Sequence, residues 1–319
     1  MPDPSPAPPP TAAWAPLPGR CVLVARGADA VRFVDNFTTA ALAPLAPGRG
    51  TEGFFADARG RVLAIANVLR TDEGLWLDAA AGVAAPLLAH LDRHLIRERV
   101  AFEDVTAARG TLLLVGPAAT AWLAARVAGP LPTGLLAHGT TRIDGIDAAV
   151  VALDWFGPGG LLVHAPAADA GRLAAWLRSE GLPEVDAAAV DAARIAAGSP
   201  EPCDIDDRTL PQELGRDARA ISFTKGCYLG QETVARLDAL GHVNRRLVTL
   251  ATATPCRIGG AVTASGETVG RVTSACAAPG GGGLGLALVH VRGLGGPLEI
   301  DGAPARVATV PVAAPREDR

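Results

Sequence analysis

Lys225–Glu232 reads KGCYLGQE, and this octapeptide decides how the whole 319-residue chain is read. Gly226 and Gly230 frame a tight turn. Glycine reaches backbone conformations closed to other residues, so a turn built this way lets backbone amides approach a ligand closely. Upstream, apolar Ile221 and Phe223 alternate with Ser222 and Thr224, a pattern that predicts a half-buried strand over Ile221–Lys225. Downstream, Gln231–Leu240 predicts a helix with Val234 and Leu237 turned inward. Cys227 lies inside the turn, two residues after Lys225, with Arg236 on the helix that follows. Positive charge and a helix start both favour thiolate, so Cys227 is the predicted reactive thiol.

Residue usage singles out the same place. Lys225 is the only lysine among 29 basic residues, and Tyr228 is the only tyrosine. Arginine serves wherever charge alone matters, so a lone lysine marks a site that needs a compact ammonium rather than a planar fork.

Outward from the turn, composition narrows the class. Half the chain is apolar (49%), 19% is charged, and the net charge is −4. This predicts a folded chain with a sizeable core. It gives no basic footprint for nucleic acid and none for a membrane surface. Cys21, Cys203, Cys227, Cys256 and Cys276 are scattered, odd in number and without a C-x-x-C pair. A disulfide framework, a zinc knuckle and a four-thiolate cluster site are therefore not expected, and reduced thiols in a cytoplasm fit the count. Residues 1–17 are rich in proline and alanine, lack the apolar segment of a secretory signal, and read as a flexible tail.

Strands are predicted at Cys21–Arg26, Gly53–Phe55, Val62–Val68, Gly74–Asp78, Thr111–Val115 and Gly160–His164. Helical spacing covers Gly27–Ala40, Gly82–Arg99, about 118–127 and Ala167–Glu180. His90 and His94 stand four apart on the second of these without an H-E-x-x-H pattern, and read as a solvent-facing pair. From about Arg246 short apolar runs alternate with glycine-rich turns, which predicts a separate small barrel or sandwich. Gly280–Gly283 reads as a hairpin connection, since no phosphate-loop motif surrounds it.

The octapeptide, with Arg236 after it, resembles the signature of the YgfZ folate-binding proteins, non-catalytic relatives of the aminomethyltransferases whose own relatives assist maturation of iron–sulfur enzymes. Arg194–Pro200 (RIAAGSP), Asp204, Leu210–Glu213 (LPQE), Asp57–Arg61 (DARGR) and VGRVTS within Gly266–Ser274 resemble other parts of the same family in order, across about residues 18–312. The resemblance implies an α+β fold, a three-part ring. Two α+β lobes with largely antiparallel sheets would fill 18–245, and a C-terminal β-barrel 246–319. It implies tetrahydrofolate or a derivative in a central hole with the KGCYLGQE turn on its wall. Lys225, Gly226, Tyr228, Gly230, Gln231, Glu232, Arg194 and Arg236 would contact the folate, and Cys227 would be the functional thiol. Implied partners are iron–sulfur proteins or their assembly machinery.

The chain departs from the transferases of this superfamily at three places. Their acidic pair after the N-terminal hairpin is matched by Ala64 and Ile65, which offer no carboxylate to orient an amine. Their pterin-holding glutamate is matched by Ala196 or Ala197, leaving backbone groups or Asp204 as substitutes. Cys227 stands where an acidic residue is usual. These departures imply a folate-binding accessory factor for iron–sulfur protein maturation or repair, without aminomethyltransferase activity. A folate-dependent one-carbon transferase is the alternative, and the missing carboxylates count against it. A thiol redox protein is the third reading, and the lack of a resolving cysteine near Cys227 counts against that.

Overall fold

A computed structural model describes residues 11–241, 243–278 and 281–309. Strand β1 (Ala13–Pro16) opens the chain, followed by β2 (Cys21–Arg26), α1 (Ala30–Asp35), β3 (Gly50–Ala56), β4 (Val62–Thr71), β5 (Gly74–Ala79), α2 (Ala84–Asp92) and β6 (Ala101–Asp104). Strands β2–β6 form the first sheet, in order β3-β4-β5-β2-β6. β7 (Arg109–Val115), α3 (Ala119–Ala124), β8 (His138–Ile143), β9 (Ile146–Leu153), β10 (Gly160–Pro166) and α4 (Ala170–Ser179) follow. Their sheet runs β1-β7-β10-β9-β8, so the N-terminal strand completes the second lobe. A connecting region carries α5 (Ala187–Ala197), α6 (Asp217–Ala220) and α7 (Gln231–Leu240). Last come β11 (Arg245–Thr252), β12 (Ala261–Ala264), β13 (Glu267–Ala277), β14 (Gly283–His290), β15 (Leu298–Ile300) and β16 (Ala303–Thr309), a closed barrel. Pairing is antiparallel in all three bodies.

β4 explains why the lobes stick together. Its sequence VLAIANVLRT is nearly continuously apolar because both faces are covered. Ala64, Ala66 and Val68 pack under α1 and α2, whereas Ile65 and Leu69 enter a core shared with Leu113, Val151 and Leu162 of the second sheet and Leu247 and Leu286 of the barrel. The register against β3 shifts between Phe55 and Ala56, so that Ala64 and Val62 are paired and Leu63 is skipped. A bulge of this kind turns a side chain out of the sheet. Leu63 is accordingly 47% exposed on the rim of two clefts.

Polar ties span the same interface. Arg20 grips Asp78 through Nε and Nη2 at 2.9 and 2.7 Å, and Asn67 Nδ2 donates to the same carboxylate at 2.8 Å. His164 Nε2, on the second sheet, lies 3.7 Å from Asp78, and all four residues are buried. Helix α6 clamps the two lobes: Arg216 pairs with buried Glu52 of β3, and Arg219 reaches Asp154 after β9 at 2.6 Å.

Four expectations are corrected. Residues 13–16 are a strand, not tail, because Trp14 anchors them: it is 1% exposed and covered by Arg178. Residues 1–10 of that tail lie outside the described residues. Ile221–Lys225 is not a strand. It is an irregular segment whose Ser222 amide donates to Thr39 O, and its alternation reflects single side chains meeting different surfaces. The helix expected over Gly82–Arg99 ends at Asp92; within 93–99 Leu95 alone packs on the core, and Ile96 is 88% exposed among charged neighbours. His90 is not solvent-facing but 5% exposed. Gly280 of the glycine run lies outside the described residues, and Gly283 already belongs to β14.

Candidate functional site

The signature turn is a clasp. Lys225 Nζ donates to the carbonyls of Asp35, Thr38 and Ala40 at 2.5, 3.0 and 2.7 Å, with the Asp35 carboxylate at 3.2 Å. An ammonium has three N–H donors, and three carbonyls converge on it. Its side chain is 3% exposed, so no donor is left over for a folate tail. The lone lysine is explained as a tripod that a flat guanidinium does not reproduce. Burial pulls its pKa below the usual lysine range, opposed by Asp35.

The same ammonium sits 5.2 Å from the ring centre of Tyr228, whose side chain is buried in the shared core. Burial, with Asp238 nearby, pushes the Tyr228 hydroxyl up to about 12. Leu229 N donates to Asn36 O at 2.9 Å, so two residues of the turn, Lys225 and Leu229, fasten the loop after α1. Gly230, at φ 83°, caps α7 and lies against the β3–β4 hairpin. A Cβ there would stand 2.6 Å from Asp57 O and 2.9 Å from Gly60 Cα, so only glycine fits. The DARGR hairpin and the octapeptide, distant in sequence, are therefore one contact.

Held between these anchors, Gly226 and Cys227 are exposed. Cys203 is exposed as well, but burial of its thiol pushes its pKa up, as it does for Cys256 and Cys276, and Cys21 is driven up to about 12. Gln231 is half-buried at the helix start, while Glu232 and Arg236 are exposed on α7.

Arg194 belongs to a different cluster. It is buried and bonds Asp191, Ser199 O, Asp204 and Ser274 Oγ, each at 2.8 Å. Asp204 also accepts from Thr273 at 2.5 Å, Ser274 at 2.7 Å and the Glu201 amide at 3.0 Å. Its carboxylate is fully engaged in bracing the barrel on α5, which removes it as the substitute pterin holder. Two clefts flank this brace. One, of about 300 Å³, is walled by Leu17, Phe156 and Val190 with Arg20, Asp191 and Glu201. The other, of about 580 Å³, lies between Glu201, Cys203 and the barrel residues Arg271 and Thr273. Both border Asp191, Arg194 and Glu201, and neither is walled by residues 225–232. The buried face of the turn, carried by Tyr228, packs into the shared core rather than against either of these two clefts. Sequence reasoning missed Glu201. Its one signal was its place in GSPE, directly after the stretch that carries Arg194.

Two antiparallel α+β lobes and a closed barrel around one core define a three-body fold of the aminomethyltransferase kind. A model of the GCVT N-terminal domain matches residues 22–225, and a model of the CAF17 C-terminal β-barrel domain matches 244–315. The chain belongs to the GCVT N-terminal domain family. It is 27% identical over 259 residues to a putative chloroplastic transferase of Arabidopsis thaliana, covering 78% of this chain and 58% of that one. Over 86 residues it is 40% identical to the mitochondrial iron-sulfur cluster assembly factor IBA57 of Homo sapiens, 25% of this chain and 23% of that one. Over 42 residues it is 60% identical to the tRNA-modifying protein YgfZ of Colwellia psychrerythraea, 13% of each. The chain thus spans under two thirds of the length of these relatives. The crystal structure of the glycine cleavage aminomethyltransferase of Bartonella henselae superposes with a TM-score of 0.78 at 23% identity, over 94% of this chain and 86% of that one, a likeness of fold. Among the described residues no helix is long and apolar enough to cross a membrane, and no group of three metal-ligating side chains occurs.

Proposed function

We propose that the chain is a tetrahydrofolate-binding accessory factor for iron–sulfur protein maturation or repair, with Cys227 as its working thiol. The observation that carries this reading is the exposed Cys227 on a turn pinned at both ends, by the Lys225 tripod and by the Gly230 contact. Fastening a thiol so firmly while leaving it open suits a group that meets a partner protein, and short stretches of the chain resemble an iron–sulfur assembly factor and YgfZ. The partners proposed are iron–sulfur proteins or their assembly machinery.

The folate is assigned to the clefts around Arg194. Phe156 and Val190 offer apolar walls to a flat pterin, and Glu201 offers a carboxylate to its amino and ring N–H groups. Arg194 holds Asp191 and Asp204 in place and so shapes the floor. Lys225, Tyr228 and Gly230 hold the turn, and Gly226, Gln231, Glu232 and Arg236 lie beside Cys227 or on α7; none of the seven lines these two clefts. Ala64 and Ile65 are both buried and apolar, which leaves the one-carbon transferase reading without its acid.

Calorimetric titration with tetrahydrofolate tests the assignment. Binding tighter than 1 mM, about −4 kcal/mol, is expected, with Glu201→Ala weakening it about tenfold and Cys227→Ala leaving it unchanged. Absence of binding at millimolar ligand defeats the folate reading.

A further inference from the structure

A third cleft, of about 740 Å³, opens beside the signature turn. The β3–β4 hairpin supplies Asp57, Arg59 and Arg61; α2 and the turn after it supply His90, Arg93 and His94. Leu63, Pro86, Ala89 and Leu229 complete it with apolar surface. Arg61 is paired with Asp57 at 2.6 Å. Arg59 and Arg93 have no carboxylate partner among the described residues, so with three arginines against one aspartate the cleft carries a formal charge of +2 in a chain of −4. His90 is 95% buried (5% exposed), yet its Nε2 has no hydrogen-bond partner among the described residues. A buried polar atom left unpaired costs about 1–3 kcal/mol, so its retention on the wall of a cationic cleft calls for an acceptor from outside. His94 stacks on Phe37 at 4.8 Å and meets His90 edge-on at 5.3 Å, which holds both rings in place.

We propose that this cleft binds the phosphate group of a small organic phosphate monoester, with Arg59 and Arg93 on its oxygens and His90 Nε2 donating to a third. A single arginine fork satisfies a carboxylate, whereas two free guanidinium groups and an imidazole match a dianion with three oxygens. The apolar wall and the volume exceed what a bare phosphate fills, which points to an ester whose organic part lies on Leu63, Pro86 and Leu229. Occupancy reports to the thiol site, because Leu229 is two residues from Cys227 and its amide fastens Asn36.

Binding is linked to a proton. Burial lowers the His90 pKa, His94 and Arg93 lower it further, and Asp57 opposes them. Arg59 and Arg61 are the other charges on the hairpin, and Phe37 is the uncharged contact from the loop after α1. A bound dianion favours imidazolium, so affinity rises as pH falls from 7.5 to 6.5. The proposal is independent of the folate assignment, since its probes carry no pterin.

Calorimetry on the full chain with phenyl phosphate, inorganic phosphate and benzoate decides it. Phenyl phosphate is expected to bind at least tenfold tighter than either other probe, with proton uptake seen as a dependence of the heat on buffer. Arg93→Ala, an exposed substitution, is expected to weaken it tenfold with an unchanged melting temperature, and His90→Gln to abolish the proton uptake. Three outcomes overturn the proposal: equal affinity for inorganic phosphate, which assigns the free ion; benzoate binding as tight as phenyl phosphate, which assigns a carboxylate; or phenyl phosphate binding indifferent to Arg93→Ala. Tetrahydrofolate titration of the same Arg93→Ala protein keeps the two readings apart, as its folate affinity is expected to match the parent.

Discussion

Arg20→Met is expected to destabilise the protein by about 3–5 kcal/mol, the range for stranding one member of a buried ion pair. Asp78 is fully buried, and its carboxylate is held by both arms of Arg20 and by Asn67. Methionine fills the arginine stem but leaves the charge unmatched between the two sheets. The double change Arg20→Met with Asp78→Leu is expected to recover most of the loss, because burying two apolar groups avoids the desolvation of both charges. Urea denaturation at pH 7 reads the difference, and an additive double mutant would show that the two residues do not act as a pair.

The same cluster sets an acid limit. Burial pushes His164 down to about 4 from 6.5, so the folded protein keeps it neutral while the unfolded chain protonates it. Its contribution is complete above pH 6.5 and is lost as pH falls toward 4, about 3 kcal/mol over that window. For Asp78, burial raises the pKa but Arg20 outweighs it, and the net direction is down. That contribution is likewise present above the ordinary carboxylate range and lost in stronger acid. His164→Leu should flatten the upper part of the stability curve only.

Lys225→Met carries the second large effect. It removes the donor from the Asp35, Thr38 and Ala40 carbonyls together, and buried carbonyls without donors cost about 1–3 kcal/mol each. A stability loss of about 3 kcal/mol or more is expected, accompanied by faster hydrogen exchange at the Leu229 amide, whose acceptor Asn36 lies in the released loop. Lys225→Arg is expected to lose at least half of that stability despite its charge, since a planar fork cannot meet three convergent carbonyls. Full stability in Lys225→Arg would show that charge alone matters there.

Much of the fold was legible because local and long-range signals agreed. KGCYLGQE located the turn, and the alternation from Arg246 marked a barrel whose first strand begins at Arg245. β1 was hidden by its proline-rich surroundings, although Trp14 in such a segment was the available signal. Ile221–Lys225 misled because five alternating residues suit a strand and an irregular segment equally. The chemistry of the site was less legible. Lys225 stood out by usage, but its partners are backbone carbonyls, which leave no mark on sequence. Glu201 and the His90 cleft are assembled from segments far apart in the chain, and only the fold brings them together.

The central claim is that Cys227 works in iron–sulfur protein maturation while the scaffold around it only holds it in place. The most direct test is the activity of iron–sulfur enzymes in cells lacking the chain, restored with the parent or with Cys227→Ala at matched levels. Cys227 is exposed and makes no buried packing, so the substitution should leave the melting temperature and folate affinity unchanged. The account predicts that the parent restores those enzymes and Cys227→Ala restores less than a tenth of their activity. Full restoration by a folded Cys227→Ala protein would contradict it and leave the turn with its clasp alone.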